Sequence, residues 1–141
     1  MKRDFISAVC IAFFLVTLVG CTDKENREHD PAFFGTWIWQ ESRYGEGDTD
    51  TSPTEIDRLG ISGDSSVITF YANGTFFNQR YEDGEESGED MMDWYTKGNR
   101  FYVDDRGEVN SLQYAITGDS LKLIEADDES WSIEIYTKQN E

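Results

Sequence analysis

The sequence predicts a small all-β domain: a single antiparallel up-and-down barrel of eight strands, with one short helix in its first long loop. Three observations carry this. From Phe33 onward, apolar and polar residues alternate with period two, and no helix-length stretch shows a 3.6-residue pattern. Between the alternating stretches stand Asn73-Gly74, Lys97-Gly98-Asn99 and Gly118-Asp119, residues that accept the positive φ of tight hairpins. Sequential hairpin-linked strands leave two unpaired edges, which closure into a barrel removes; a β-sandwich is the alternative.

The expected strands are 36–43, 66–72, 75–82, 92–97, 100–105, 110–117, 120–126 and 130–138. In the later ones Leu112, Tyr114 and Ile116, then Leu121 and Leu123, then Trp131, Ile133 and Ile135 read as inward. Gln113, Lys122, Ser132 and Glu134 read as outward. Around Asn73-Gly74 the register stays open, because a two-residue turn pairs Phe70 with Phe77 and a bulged turn pairs it with Phe76. In the long connection 44–65, Ser52 can cap a helix, Pro53 suits its first position, Glu55 completes a capping box, and Gly60 ends it after Ile56 and Leu59.

The N-terminus is read as an address. Lys2 and Arg3 precede an apolar run from Phe5 to Leu18, the layout of a secretory signal and too short to span a bilayer comfortably. The run stops at Leu18-Val19-Gly20-Cys21, which resembles the bacterial lipobox. That resemblance implies lipid attachment to the Cys21 thiol, cleavage before it, and a bacterial cell envelope location. Thr22 beside the lipidated cysteine implies sorting to the outer membrane, on its periplasmic face or at the cell surface. The expected organisation is therefore a cleaved signal (1–20), a lipidated cysteine with a flexible acidic tether (21–32), and a β domain (33–139).

Removing Lys2, Arg3 and Asp4 with the signal leaves 10 Lys and Arg against 28 Asp and Glu, a net charge of −18. A surface this negative repels phosphate backbones, so nucleic-acid binding is excluded and a self-repelling monomer is expected. Cys10 leaves with the signal and Cys21 carries lipid, so no thiol remains for a disulfide, zinc or catalysis. Stability rests on packing, for which 17 aromatic residues remain after the signal is removed.

Gly35-Thr36-Trp37 opening the first strand resembles the Gly-x-Trp signature of lipocalins, whose tryptophan closes the base of an up-and-down barrel. The segments around Asn73-Gly74 and Gly118-Asp119 are similar to hairpins of bacterial lipocalin-like lipoproteins, and the likeness covers most of 33–138. The resemblance implies a lid formed by 44–65 and an apolar or amphipathic ligand inside. In that family a basic side chain from the last strand crosses the signature tryptophan. Here the candidate, Lys138, lies in phase with Glu134, on the face read as outward.

The sequence offers no catalytic constellation. Its one histidine, His29, falls in the tether, which argues against Ser-His-Asp, Cys-His and histidine-zinc sites. No cofactor motif and no twelve-residue calcium loop appear; Pro53 stands where the loop of Asp48 would need glycine. The carboxylates of 82–90, 104–108 and 127–129 read as solvated loop tips. Trp39, Tyr44, Phe70, Trp94, Tyr114 and Trp131 are the candidate ligand-binding residues, with Trp39 and Tyr44 nearest the mouth. Two functions are expected: a tethered binder of a small apolar or amphipathic molecule, or a non-enzymatic interaction lipoprotein whose acidic loops meet a basic protein partner.

Overall fold

The computed structural model describes residues 26–60 and 63–140. The signal 1–20, its Leu18-Val19-Gly20 motif, Cys21 and the tether to residue 25 lie outside the described residues. A 3-10 turn, Pro31–Phe33, leads into nine strands. They are β1 Gly35–Glu46, β2 Glu55–Arg58, β3 Asp64–Phe70, β4 Thr75–Glu82, β5 Glu85–Lys97, β6 Arg100–Asp105, β7 Glu108–Thr117, β8 Ser120–Ala126 and β9 Ser130–Lys138. From β3 to β9 each strand pairs with the next, β1 pairs with β3, and β9 returns to β1. Eight antiparallel strands thus close the expected up-and-down barrel, and β2 is an extra strand laid on β1.

The extra strand replaces the expected helix. Along one edge, residues 35–38 of β1 pair with β3 and residues 41–44 pair with β2, while β9 takes the other edge. Where β3 stops, the second half of β1 would be left with unpaired peptide groups, which fold into water or find partners. Residues 55–58 supply those partners, and Leu59 N–H adds a bond to the Gln40 carbonyl at 2.8 Å. The ladder outweighs the capping signal at Ser52–Glu55, and Ile56 and Leu59, expected within the helix, lie on the extra strand and just after it, 42% and 41% exposed.

The open register resolves as Phe70 opposite Phe76, which puts both rings in the core. Strand β5 is longer than expected: Glu85, Glu86, Glu89 and Asp90 belong to its ladder with β4 and are not loop tips. In β9 the expected faces are reversed. Antiparallel partners share a face; Leu121 lies opposite Tyr136 and Leu123 opposite Glu134, and both leucines are buried in the core. Tyr136, Glu134 and Ser132 therefore point inward, and Trp131, Ile133 and Ile135 outward. The apolar alternation marked a covered face rather than the interior. Trp131 is only 5% exposed because its ring lies over Gly45, where a Cβ would stand 2.3 Å from it, and its Nε1 donates to Thr51 Oγ1 at 3.1 Å.

That reversal also puts Lys138 on the inside. Its ammonium lies 5.4 Å from the centre of a Trp37 ring, so a basic side chain of the last strand does reach that tryptophan. The signature glycine makes room for it: a Cβ on Gly35 would meet Lys138 Cε at 3.0 Å, and its φ of +120° suits glycine alone.

The closed end is filled with rings. Phe33, Phe70, Trp94 and Phe101 pack together, mostly edge-on or tilted, with centroids 4.9–6.3 Å apart, and Trp37 Nε1 donates to the Phe33 carbonyl at 2.8 Å. The chain before Phe33, expected as a free tether, is fastened across this end. Arg27 pairs with Asp104 at 2.9 Å and lies 4.2 Å over Tyr95, Glu28 forms a bridge to Thr96, His29 meets Trp94 edge-on at 5.0 Å, and Asp30 accepts the Tyr114 hydroxyl at 2.8 Å. A polar sequence looked unstructured because its partners lie some 70 residues away, beyond any local pattern.

Candidate functional site

Above the ring plug the barrel opens. Its inward face carries Trp39, Ser42 and Tyr44 from β1, Ser66 from β3, Asn78 and Arg80 from β4, and Glu134 and Tyr136 from β9. These residues, with Asp57 of β2 and Asp64 of β3, line a cavity of about 420 Å³. The β-bulge at Gln40 keeps it in shape: by shifting the phase of β1 it brings Ser42, instead of Glu41, into line with Trp39. Trp39 Nε1 then donates to Ser42 Oγ at 2.8 Å, and Ser42 Oγ donates to the Glu134 carboxylate. Ser66 Oγ donates to Asn78 Oδ1 at 2.8 Å, and Arg80 is engaged by Asp90.

Burial raises the proton affinity of Glu134 above the ordinary carboxylate range, and the Ser42 hydroxyl only partly offsets it. Tyr136 is likewise pushed up, by burial first and by the nearby Glu134 second. At the closed end the Tyr114 hydroxyl rises to about 12, from burial and then from donating to Asp30. Mouth and base thus differ in kind: one holds a carboxylate in a cavity, the other seals a phenol against a carboxylate.

A second cavity, about 890 Å³, opens on the side of the barrel. The ladder of β7 with β8 runs only from Thr117–Ser120 to Gln113–Ile124, whereas β6 pairs with β7 from Gln113 down to Glu108. Beyond Gln113 the two strands part, and the cleft is lined by Ser111, Gln113, Ile124, Glu125, Tyr44 and Trp131 among others.

Of the expected ligand-binding residues, the structure brings Trp39 and Tyr44 together at the mouth. Phe70, Trp94 and Tyr114 belong to the plug, and Trp131 stands on the outer face beneath the 47–54 loop rather than inside. Among its described residues the loop does not cover the mouth as a lid: its second half holds β2, and its first half packs over Trp131 through Gly47 N–H to the Glu129 carbonyl. The inner polar residues Ser42, Asn78, Arg80, Glu134 and Tyr136 were missed. For Asn78 and Arg80 the clue was their phase with Phe76, readable once its register is known. Among the described residues no cluster of three or more His, Cys, Asp or Glu side chains could hold a metal ion.

The crystal structure of Echinococcus granulosus fatty-acid-binding protein 1 is similar over 79% of this chain and 100% of that one. The two share 16% sequence identity, with a TM-score of 0.44. No protein-family model and no curated protein matches the chain.

Proposed function

We propose that this chain is a bacterial envelope lipoprotein, anchored through Cys21 to the outer membrane, whose barrel binds a small amphipathic molecule at its open end without transforming it. The anchor is supported by the charged start, the short apolar run and the Leu18-Val19-Gly20-Cys21 box. The binding role is carried by one observation: the barrel is packed solid in one half and hollow in the other. The hollow, about 420 Å³, has aromatic faces at Trp39, Tyr44 and Tyr136 beside hydrogen-bonding groups at Ser42, Asn78 and Arg80. Small-molecule sites combine these features in cavities of roughly 300–1,000 Å³. So polar a wall suits a molecule with a head group better than a bare hydrocarbon.

Two experiments test the two parts. Fatty-acid labelling of growing bacteria marks the parent and leaves Cys21→Ser blank; label on the variant removes the anchor. Native mass spectrometry of residues 22–141 released gently from cells shows a retained small molecule, and Trp39→Ala loses it. A barrel that is always empty and takes up no decyl-chain probe defeats the binding role.

A second reading, an acidic interaction surface, is favoured by the ladder position of Glu85, Glu86, Glu89 and Asp90, all of them exposed on the first half of β5. The neighbouring Glu86 raises the proton affinity of Glu89, a mark of like charges held close. A basic partner held there is released by moderate salt and by neutralising these four residues; salt-insensitive association excludes it.

A further inference from the structure

Resting on the binding role just proposed, we infer that the mouth cavity selects an organic cation, an ammonium or quaternary amine head carrying an apolar tail, in preference to a fatty acid.

Glu134 sits in the wall between Ser42 and Tyr136, more than half-buried, and accepts a hydrogen bond from Ser42. Among the described residues no lysine or arginine is paired with it. A carboxylate withdrawn from water without a counter-charge is costly, and an entering cation removes that cost. Arg80 is the one basic residue in the lining, and its guanidinium is already engaged by Asp90. Asp57, Asp64 and Glu82 at the rim add further negative potential around the opening. An anionic head would have to pass that rim and then meet Glu134.

The walls suit the same ligand. Trp39, Tyr44, Tyr81 and Tyr136 line this cavity. Aromatic faces attract cations, most strongly where water is excluded, and quaternary ammonium groups, which cannot hydrogen-bond, are held in this way. Trp39 is oriented for it by donating its Nε1 to Ser42, the hydroxyl that itself holds Glu134. One hydrogen-bonded chain therefore fixes a ring and a carboxylate side by side. The rings also supply the apolar contact a tail needs.

The test compares three probes of equal chain length, decyltrimethylammonium, decanol and decanoate, by calorimetric titration below their micelle concentrations in about 0.15 M salt, where loose surface attraction is screened. The parent binds one decyltrimethylammonium at least tenfold more tightly than decanoate, with decanol between. Glu134→Gln, checked for folding by circular dichroism, loses at least tenfold of the cation's affinity and leaves decanol within about twofold. Should that variant fail to fold, Asp57→Asn on exposed β2 serves instead and narrows the cation's advantage at least twofold. Decanoate binding as well as the cation, or an advantage indifferent to these substitutions, overturns the cation preference while the binding role stands. If none of the three probes binds, both fall.

Discussion

The two halves of the barrel are built from the same strands and differ in what stands between them. Toward the closed end, Phe33, Trp37, Ile68, Phe70, Trp94, Phe101 and Leu121 are at most 2% exposed. Toward the open end the inward positions turn to serine, asparagine, arginine and glutamate, and the ladders part in two places, where β1 exchanges β3 for β2 and where β7 leaves β8. Rings that bury ~150–250 Å² each make the first half the source of stability. The second half spends interior volume on polar groups that stabilise little and can recognise a good deal. A single sheet thus divides folding and recognition along its length.

Substitutions in each half sharpen that division. Phe33→Ala should cost most, about 3–5 kcal/mol in urea denaturation, because the ring touches four others and its loss opens the base. A cost near that of an open-half truncation would break the comparison. Gly45→Ala follows, at about 1–3 kcal/mol with an altered near-ultraviolet tryptophan spectrum, since the new Cβ must displace the Trp131 ring. Glu134→Gln leaves stability at pH 7 unchanged or raises it. Because burial lifts the folded-state affinity of Glu134 for its proton, the parent loses stability as pH rises from the ordinary value of 4.5 through the raised folded one. The variant lacks that fall, and a fall of equal size in both would show that the group is not withdrawn from water. Smallest is Arg58→Ala, at no more than about 0.5 kcal/mol, because its partner Glu41 keeps Arg43 and the Arg58 side chain itself is exposed to water. The Arg58 guanidinium is the main cause holding Glu41 below the ordinary carboxylate range, so the variant's carboxyl titrates higher.

How much of this was legible follows from the range of each signal. Period-two alternation and glycine turns are local, so β4, β6, β8 and β9 could be bounded from the sequence and closure followed from the edges. The faces of β9 could not be assigned, because Trp131 is covered on the outside by a loop some 80 residues earlier in the chain, and Ile133 and Ile135 share its phase. The helix expected at 52–60 had good local chemistry and lost to a free edge of β1, a fact about another segment. Within the site, Trp39 and Tyr44 were legible as aromatics leading to a long loop. Glu134 was not, since a glutamate between isoleucines reads as solvent-facing until its partner strand is known. The strap was hidden for the same reason: Arg27, His29 and Asp30 look like tether until Asp104, Trp94 and Tyr114 are set beside them.

The strap has a mechanical corollary. Because Arg27 through Phe33 is clasped across the base, a pull on the N-terminus does not load β1 directly. It meets the Arg27–Asp104 pair, then the lone bridge at Glu28, then the Asp30–Tyr114 bond, and these release one after another as in peeling. Only then is the Phe33 ring drawn like a stopper from the bottom of the barrel, while the ladders of the wall, loaded last, still hold their shape.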